Sequence, residues 1–156
     1  MKKVILLLVL LFVSIQFYAQ DFTKLNDIKF EKLEDYKKAE PEILKVADFL
    51  YSNPVNSSVD NRTLAFAFVI RWMSGTDYTF TIGERDLKLT KGDPELLAMY
   101  MTALSKVAIS NPGKKLSDDK LYDAASKILA KYCANKENKL KPNRALKKII
   151  KKMKKS

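Results

Sequence analysis

The sequence predicts a mainly α-helical fold: an irregular bundle of about five helices around a buried central helix at 63–74, with a small β-hairpin or an extended loop at 78–90. Two observations predict it. Leu64 to Trp72 is a run of nine residues with a single charge, Arg71. A helix apolar on every side cannot lie on a surface and has to be surrounded. Four further stretches repeat apolar residues three and four apart, between breaks marked by proline or glycine.

The chain opens with the layout of a secretory signal peptide at 1–20. Lys2 and Lys3 give a positive start, Val4 to Tyr18 is an apolar run of 15 residues, and Ala19 offers a small residue near the expected cut at Ala19/Gln20. The run is shorter than the roughly 20 residues that a spanning helix needs. The protein is therefore expected to be exported, periplasmic or extracellular, as one helical domain over 21–156. Cys133 is the only cysteine, so an exported product holds together without an internal disulfide.

Residues 21–32 read as a loose lead-in, with Phe22, Leu25, Ile28 and Phe30 able to lie on the domain. Glu34 to Lys38 suits a short helical turn. Pro41 marks the first position of a helix carrying Ile43, Leu44, Ala47, Leu50 and Tyr51, which Ser52-Asn53-Pro54 ends. Asn56-Ser57-Ser58 and Asn61-Arg62-Thr63 fit a glycosylation sequon, but Ser58 or Asp60 serves better as the cap of the central helix. Gly75 closes that helix in a left-handed cap.

Tyr78, Phe80 and Ile82 then alternate with polar residues, as do Leu87 and Leu89 across a turn at Gly83–Asp86; hence the hairpin. Asp93-Pro94-Glu95 is a strong helix start, followed by Leu96, Leu97, Tyr100, Met101, Leu104 and Val107. Ser117-Asp118-Asp119 opens the next helix. Lys141-Pro142-Asn143 opens the last one, a basic helix at 143–155 with a stripe of Ala145, Leu146, Ile149, Ile150 and Met153.

The net charge of +11 sits in the C-terminal third. Residues 113–156 hold 15 Lys/Arg against 4 Asp/Glu, whereas residues 21–60 hold 6 against 9. From Lys139 to Lys155 there are nine cations and no acid. Lys147, Lys148, Lys151 and Lys152 flank the apolar stripe, the pattern that an anionic membrane or envelope surface attracts. The same lysines also suit a helix that is simply docked by its stripe. Nucleic acid is disfavoured as a partner, because the helix offers no aromatic platform for bases.

The second candidate is Arg71, Trp72, Asp77 and Tyr78 around Gly75, a pocket for a small polar ligand at the end of the central helix. The structural alternative is an Arg71–Asp77 pair, or Arg71 stacked on Trp72, closing that end. A third cluster, Glu84, Arg85 and Asp86, sits on the turn, where charges normally go. The chain has no histidine, which removes the commonest general base and metal ligand. No cofactor or metal is expected, and the composition leans against an enzyme and towards a domain that binds a protein or an envelope component; the alternative is a small-ligand binder or histidine-free enzyme at the Arg71–Asp77 end of the central helix. Cys133 reads as a small buried hydrophobe.

Two segments, Glu34-Asp35-Tyr36-Lys37-Lys38-Ala39-Glu40-Pro41 with its following helix and Arg71-Trp72-Met73-Ser74-Gly75-Thr76-Asp77-Tyr78-Thr79-Phe80, resemble small exported all-helical bacterial proteins of unknown function. The resemblance implies export and a helical fold over most of the mature chain. It brings no activity and no site residues, and the lysine-rich tail has no counterpart in it.

Overall fold

The computed structural model describes residues 22–113 and 116–155. The expected export segment lies outside the described residues. Six α-helices are present among them: α1 (Leu33–Ser52), α2 (Val59–Met73), α3 (Glu84–Thr90), α4 (Pro94–Ile109), α5 (Asp118–Ala134) and α6 (Arg144–Met153). Short 3-10 turns stand at Thr23–Asp27 and Lys136–Asn138.

Helix α1 starts where Asp35 accepts hydrogen bonds from the backbone N–H groups of Glu31 and Lys32, at 3.1 and 3.2 Å. It merges the expected turn at Glu34 with the helix placed after Pro41, so Pro41 lies inside it. Proline there removes one backbone bond of the ladder. Ala39, Ile43, Val46, Ala47 and Leu50 form the buried face that holds the helix across this break.

The central helix is not the expected one. Helix α2 leaves a stripe of Thr63, Ala67, Ile70 and Arg71 in solvent, with Ile70 40% exposed. Its core face is Ala65, Phe68, Val69 and Trp72. The surrounded helix is α4, packed against α1, α2, α3 and α5. Ten of its residues are buried, Thr102 and Ser105 among them. Those two hydroxyls donate to the carbonyls of Ala98 (2.9 Å) and Met101 (3.0 Å) in their own helix, so they enter the core already satisfied. Asp93 caps α4 as expected, its Oδ1 accepting from the N–H groups of Glu95 and Leu96 at 3.0 Å. Trimming Leu96 or Met99 to alanine would cost ~2–5 kcal/mol.

No strand forms among the described residues, and the hairpin at 78–90 is replaced by an extended segment followed by a helix. Asp86 decides this locally. Its Oδ2 accepts from the Gly83 N–H at 2.9 Å, and its own N–H donates to the Gly83 carbonyl. That starts α3, and Glu84 pairs with Lys88 one turn on at 2.7 Å. Leu89 then points into the core while Leu87 stays outside. The expected left-handed cap at Gly75 is also absent, since the positive-φ glycines are Gly92 and Gly113. Ser58 does sit at the start of α2, at φ 47°, but makes no side-chain cap.

Candidate functional site

The cluster of Arg71, Trp72, Asp77 and Tyr78 does not assemble as a whole. Arg71 turns away from Asp77 towards the lead-in. Its Nη2 donates to the carbonyls of Leu25 (2.7 Å) and Ile28 (3.2 Å), and its guanidinium lies over the Phe30 and Phe68 rings at 5.6 and 5.7 Å. Trp72 is fully buried, and its indole N–H donates to the Tyr36 carbonyl at 2.9 Å. Tyr78 packs on the outer side of that indole, ring centroids 5.7 Å apart. Asp77 is exposed, and its Oδ1 accepts from the neighbouring Thr76 hydroxyl at 3.5 Å. The pull on Arg71 comes from carbonyls 46 and 43 residues away. No local pattern in the sequence announces it.

Asp77 and Tyr78 do line a cleft of about 570 Å³, together with Lys37, Thr81, Asp118 and the apolar Leu116 and Leu121. Lys37 Nζ stands 3.4 Å from the Tyr78 hydroxyl and 2.9 Å from Glu40 Oε1. Glu40, and then Tyr78, raise the ammonium of Lys37 above its usual range. Partial burial raises the Tyr78 hydroxyl, and the Lys37 contact opposes that rise. The turn cluster is structural. Asp86 is buried and accepts from the Tyr100 hydroxyl, while Arg85 pairs with Asp119 and lies over the Tyr122 ring at 4.5 Å.

The basic helix α6 is anchored at its start and along its stripe, and its lysines lie outside. Asn143 caps α6, its Oδ1 accepting from the N–H groups of Ala145 (3.0 Å) and Leu146 (3.1 Å). The stripe then docks: Leu146 is fully buried, Ile149 and Ile150 are half-buried, and α6 packs on α5 and α3. Only Met153 at the far end is substantially open, at 37%. Lys147, Lys148, Lys151 and Lys152 all face solvent.

A second segment joins this face. Asn143 also donates through Nδ2 to the carbonyls of Leu89 (2.6 Å) and Lys88 (3.3 Å). It rivets the end of α3 to the start of α6. Lys88 and Lys91 thereby share a cleft of about 430 Å³ with Arg144 and Lys148. Lys88 is paired with Glu84, but among the described residues no carboxylate stands within ion-pair distance of Lys91, Arg144 or Lys148. Sequence reasoning missed Lys88 and Lys91, because the contact that recruits them spans about fifty residues.

Cys133 is buried, and burial pushes its thiol up to about 12, which keeps it protonated. No group of three or more carboxylate, histidine or cysteine side chains converges as for a metal among the described residues. None of their helices is long and apolar enough to cross a membrane. Comparison with protein-family models, curated proteins and solved structures finds no match.

Proposed function

We propose that the protein is exported and docks peripherally on an anionic envelope or membrane surface through the outer face of α6. The observation that carries this is the pairing of two facts about one helix. Its apolar stripe is committed to the bundle, and its outer face presents cations with no acid from Lys139 to Lys155. The stripe cannot also insert into lipid, so the contact is electrostatic. Each lysine near an anionic surface contributes about 1 kcal/mol, and that gain fades within a Debye length of ~8 Å at physiological salt.

Lys151 and Lys152 in the last turn suit the helix dipole, but the charges of the first turns do α6 little local good. Arg144 and Lys148, Lys147 and Lys151, and Lys148 and Lys152 stand four apart with like sign, which opposes helix formation by a few tenths of a kcal/mol per pair. No acid occupies the first turn of α6, where the helix dipole favours one. A face that opposes local stability fits a binding role better than mere solvation.

The test is co-sedimentation with vesicles of phosphatidylcholine alone and with added phosphatidylglycerol. The protein should pellet only with the anionic vesicles and be released at high salt. The variant with Lys147, Lys148, Lys151 and Lys152 all changed to glutamate should stay in solution. If that variant pellets as well as the parent, the surface reading is wrong. Export is tested separately, by whether the mass recovered outside the cytoplasm of an expressing bacterium corresponds to a cut near Ala19/Gln20.

A second reading, a small-ligand binder, is favoured by the cleft at Asp77 and Tyr78, whose lining mixes the charged Lys37, Asp77 and Asp118 with the apolar Leu116 and Leu121. A metabolite library read by thermal shift tests it. A hit that Tyr78→Ala abolishes supports a site there, and a hit that it leaves unchanged removes that location.

A further inference from the structure

We infer that the cleft between α3 and α6, lined by Lys88, Lys91, Arg144 and Lys148, takes a phosphomonoester group. This rests on the reading that the α6 face meets an anionic surface, and it names the group that face selects. Two separate stretches of chain deliver the cations, two at the end of α3 and two in the first turns of α6. The Asn143 side chain holds the two elements in register through bonds to both. Asn143 already occupies the N–H groups of Ala145 and Leu146, so the site is built mainly from side chains and not from the helix end.

The charge count points to the ligand. Glu84 answers Lys88 alone, leaving Lys91, Arg144 and Lys148 around one concavity. A carboxylate or a phosphodiester brings about one negative charge. A phosphomonoester brings nearly two, with three terminal oxygens able to accept from an arginine fork and two ammonium groups together. A cleft of about 430 Å³ leaves room beyond the phosphate for the group that carries it. That group is a lipid headgroup or a free phosphate ester, and the two sources share the same recognition chemistry.

The experiment uses the full chain and vesicles matched in surface charge, one set bearing phosphatidylglycerol (a phosphodiester) and the other phosphatidic acid (a phosphomonoester). The parent should bind the phosphatidic acid set about fivefold more tightly, the factor that one further lysine or arginine engaged at an anionic surface brings. The double variant Lys91→Gln with Arg144→Gln should lose that preference. The double variant Lys147→Gln with Lys151→Gln removes as much charge outside the cleft and should keep the preference while weakening binding to both sets. Circular dichroism melts confirm that both variants remain folded.

Inorganic phosphate, titrated while amide resonances are followed by NMR, supplies the second arm. It should move the Lys91 and Arg144 signals and compete with phosphatidic acid. Phosphate-induced shifts without vesicle binding would keep the cleft, assign it to a free phosphate ester and remove the surface reading. Equal binding to both vesicle sets with no phosphate-induced shift would overturn the cleft and leave the surface reading standing.

Discussion

The phenol of Tyr36 occupies the space that a β-carbon on Gly75 would need. The same tyrosine stacks on Phe30 with ring centroids 4.6 Å apart, and its carbonyl accepts the Trp72 indole N–H. One residue of α1 thus joins the lead-in, the end of α2 and the turn after it. Gly75 is required for room and not for backbone conformation, because its φ is not positive. Gly75→Ala should cost ~1–3 kcal/mol, since a rigid ring would have to leave Phe30. Urea unfolding checks this. Pairing the change with Tyr36→Ala should recover part of the loss, and an unaltered Gly75→Ala would mean the ring is not seated there.

Arg62 shows how a buried charge is held. It is 3% exposed, and its Nη2 reaches Glu95 at 2.6 Å while Nη1 reaches the Leu50 carbonyl at 3.3 Å. Removing the acid strands the guanidinium; removing the guanidinium leaves an acid that water can still reach. Breaking a fully buried pair costs ~3–5 kcal/mol, and the partial exposure of Glu95 places Glu95→Ala at about 2–3 kcal/mol. Arg62→Met should lie within about 1 kcal/mol of the parent, because an apolar chain of similar length fills the space. Chemical denaturation of the two variants checks the order, and an Arg62→Met loss as large as that of Glu95→Ala would refute it.

What the sequence announced and what it hid divide by range. The starts of α4, α5 and α6 were legible, because Asp93, Ser117 and Asn143 accept from N–H groups two or three residues away. The identity of the central helix was not. Thr102 and Ser105 look polar as letters, although each hydroxyl is satisfied within its own helix. The run from Leu64 to Trp72 looked dry because Ala67 and Ile70 are apolar letters that the fold leaves outside. The hairpin pattern had a different origin on each side: Tyr78 and Phe80 lie against Trp72, whereas Leu87 and Leu89 belong to a short helix that buries one of them. Arg71 and Asp77 are close in sequence, yet the partners of Arg71 belong to another segment. The basic face was legible from composition, and its cleft was not.

Alkaline pH should unfold the protein early. Burial raises the Cys133 thiol from 9.0 to about 12. Burial also raises the Tyr51 hydroxyl, and burial together with the Asp86 hydrogen bond raises that of Tyr100. Each group is neutral when protonated, and each folded pKa lies above the unfolded one. The stability they contribute is therefore complete below the unfolded values and is lost as pH rises towards the folded ones. The loss begins near 9.0 through Cys133 and steepens above 10.0 through the tyrosines. Thermal melts from neutral pH upward check it. Cys133→Ala should delay the onset to the tyrosine range, and an onset unchanged by that substitution would exclude the thiol as its cause.

Lys147 separates stability from binding in a single side chain. It lies in the first turns of α6, faces solvent, lines no part of the cleft and stands four residues before Lys151. Lys147→Glu would place an acid near the positive end of the helix dipole and create a Glu-to-Lys pair in the favoured order. Together these contribute about 0.5–1 kcal/mol. The variant should therefore melt a few degrees higher than the parent. It should also bind phosphatidylglycerol vesicles more weakly, since one favourable charge has become unfavourable. A variant that is more stable and binds less would mean that the lysine is kept against the interest of its own helix. A variant that melts lower would mean that Lys147 stabilises the bundle directly, and the basic face would then need no partner to account for it.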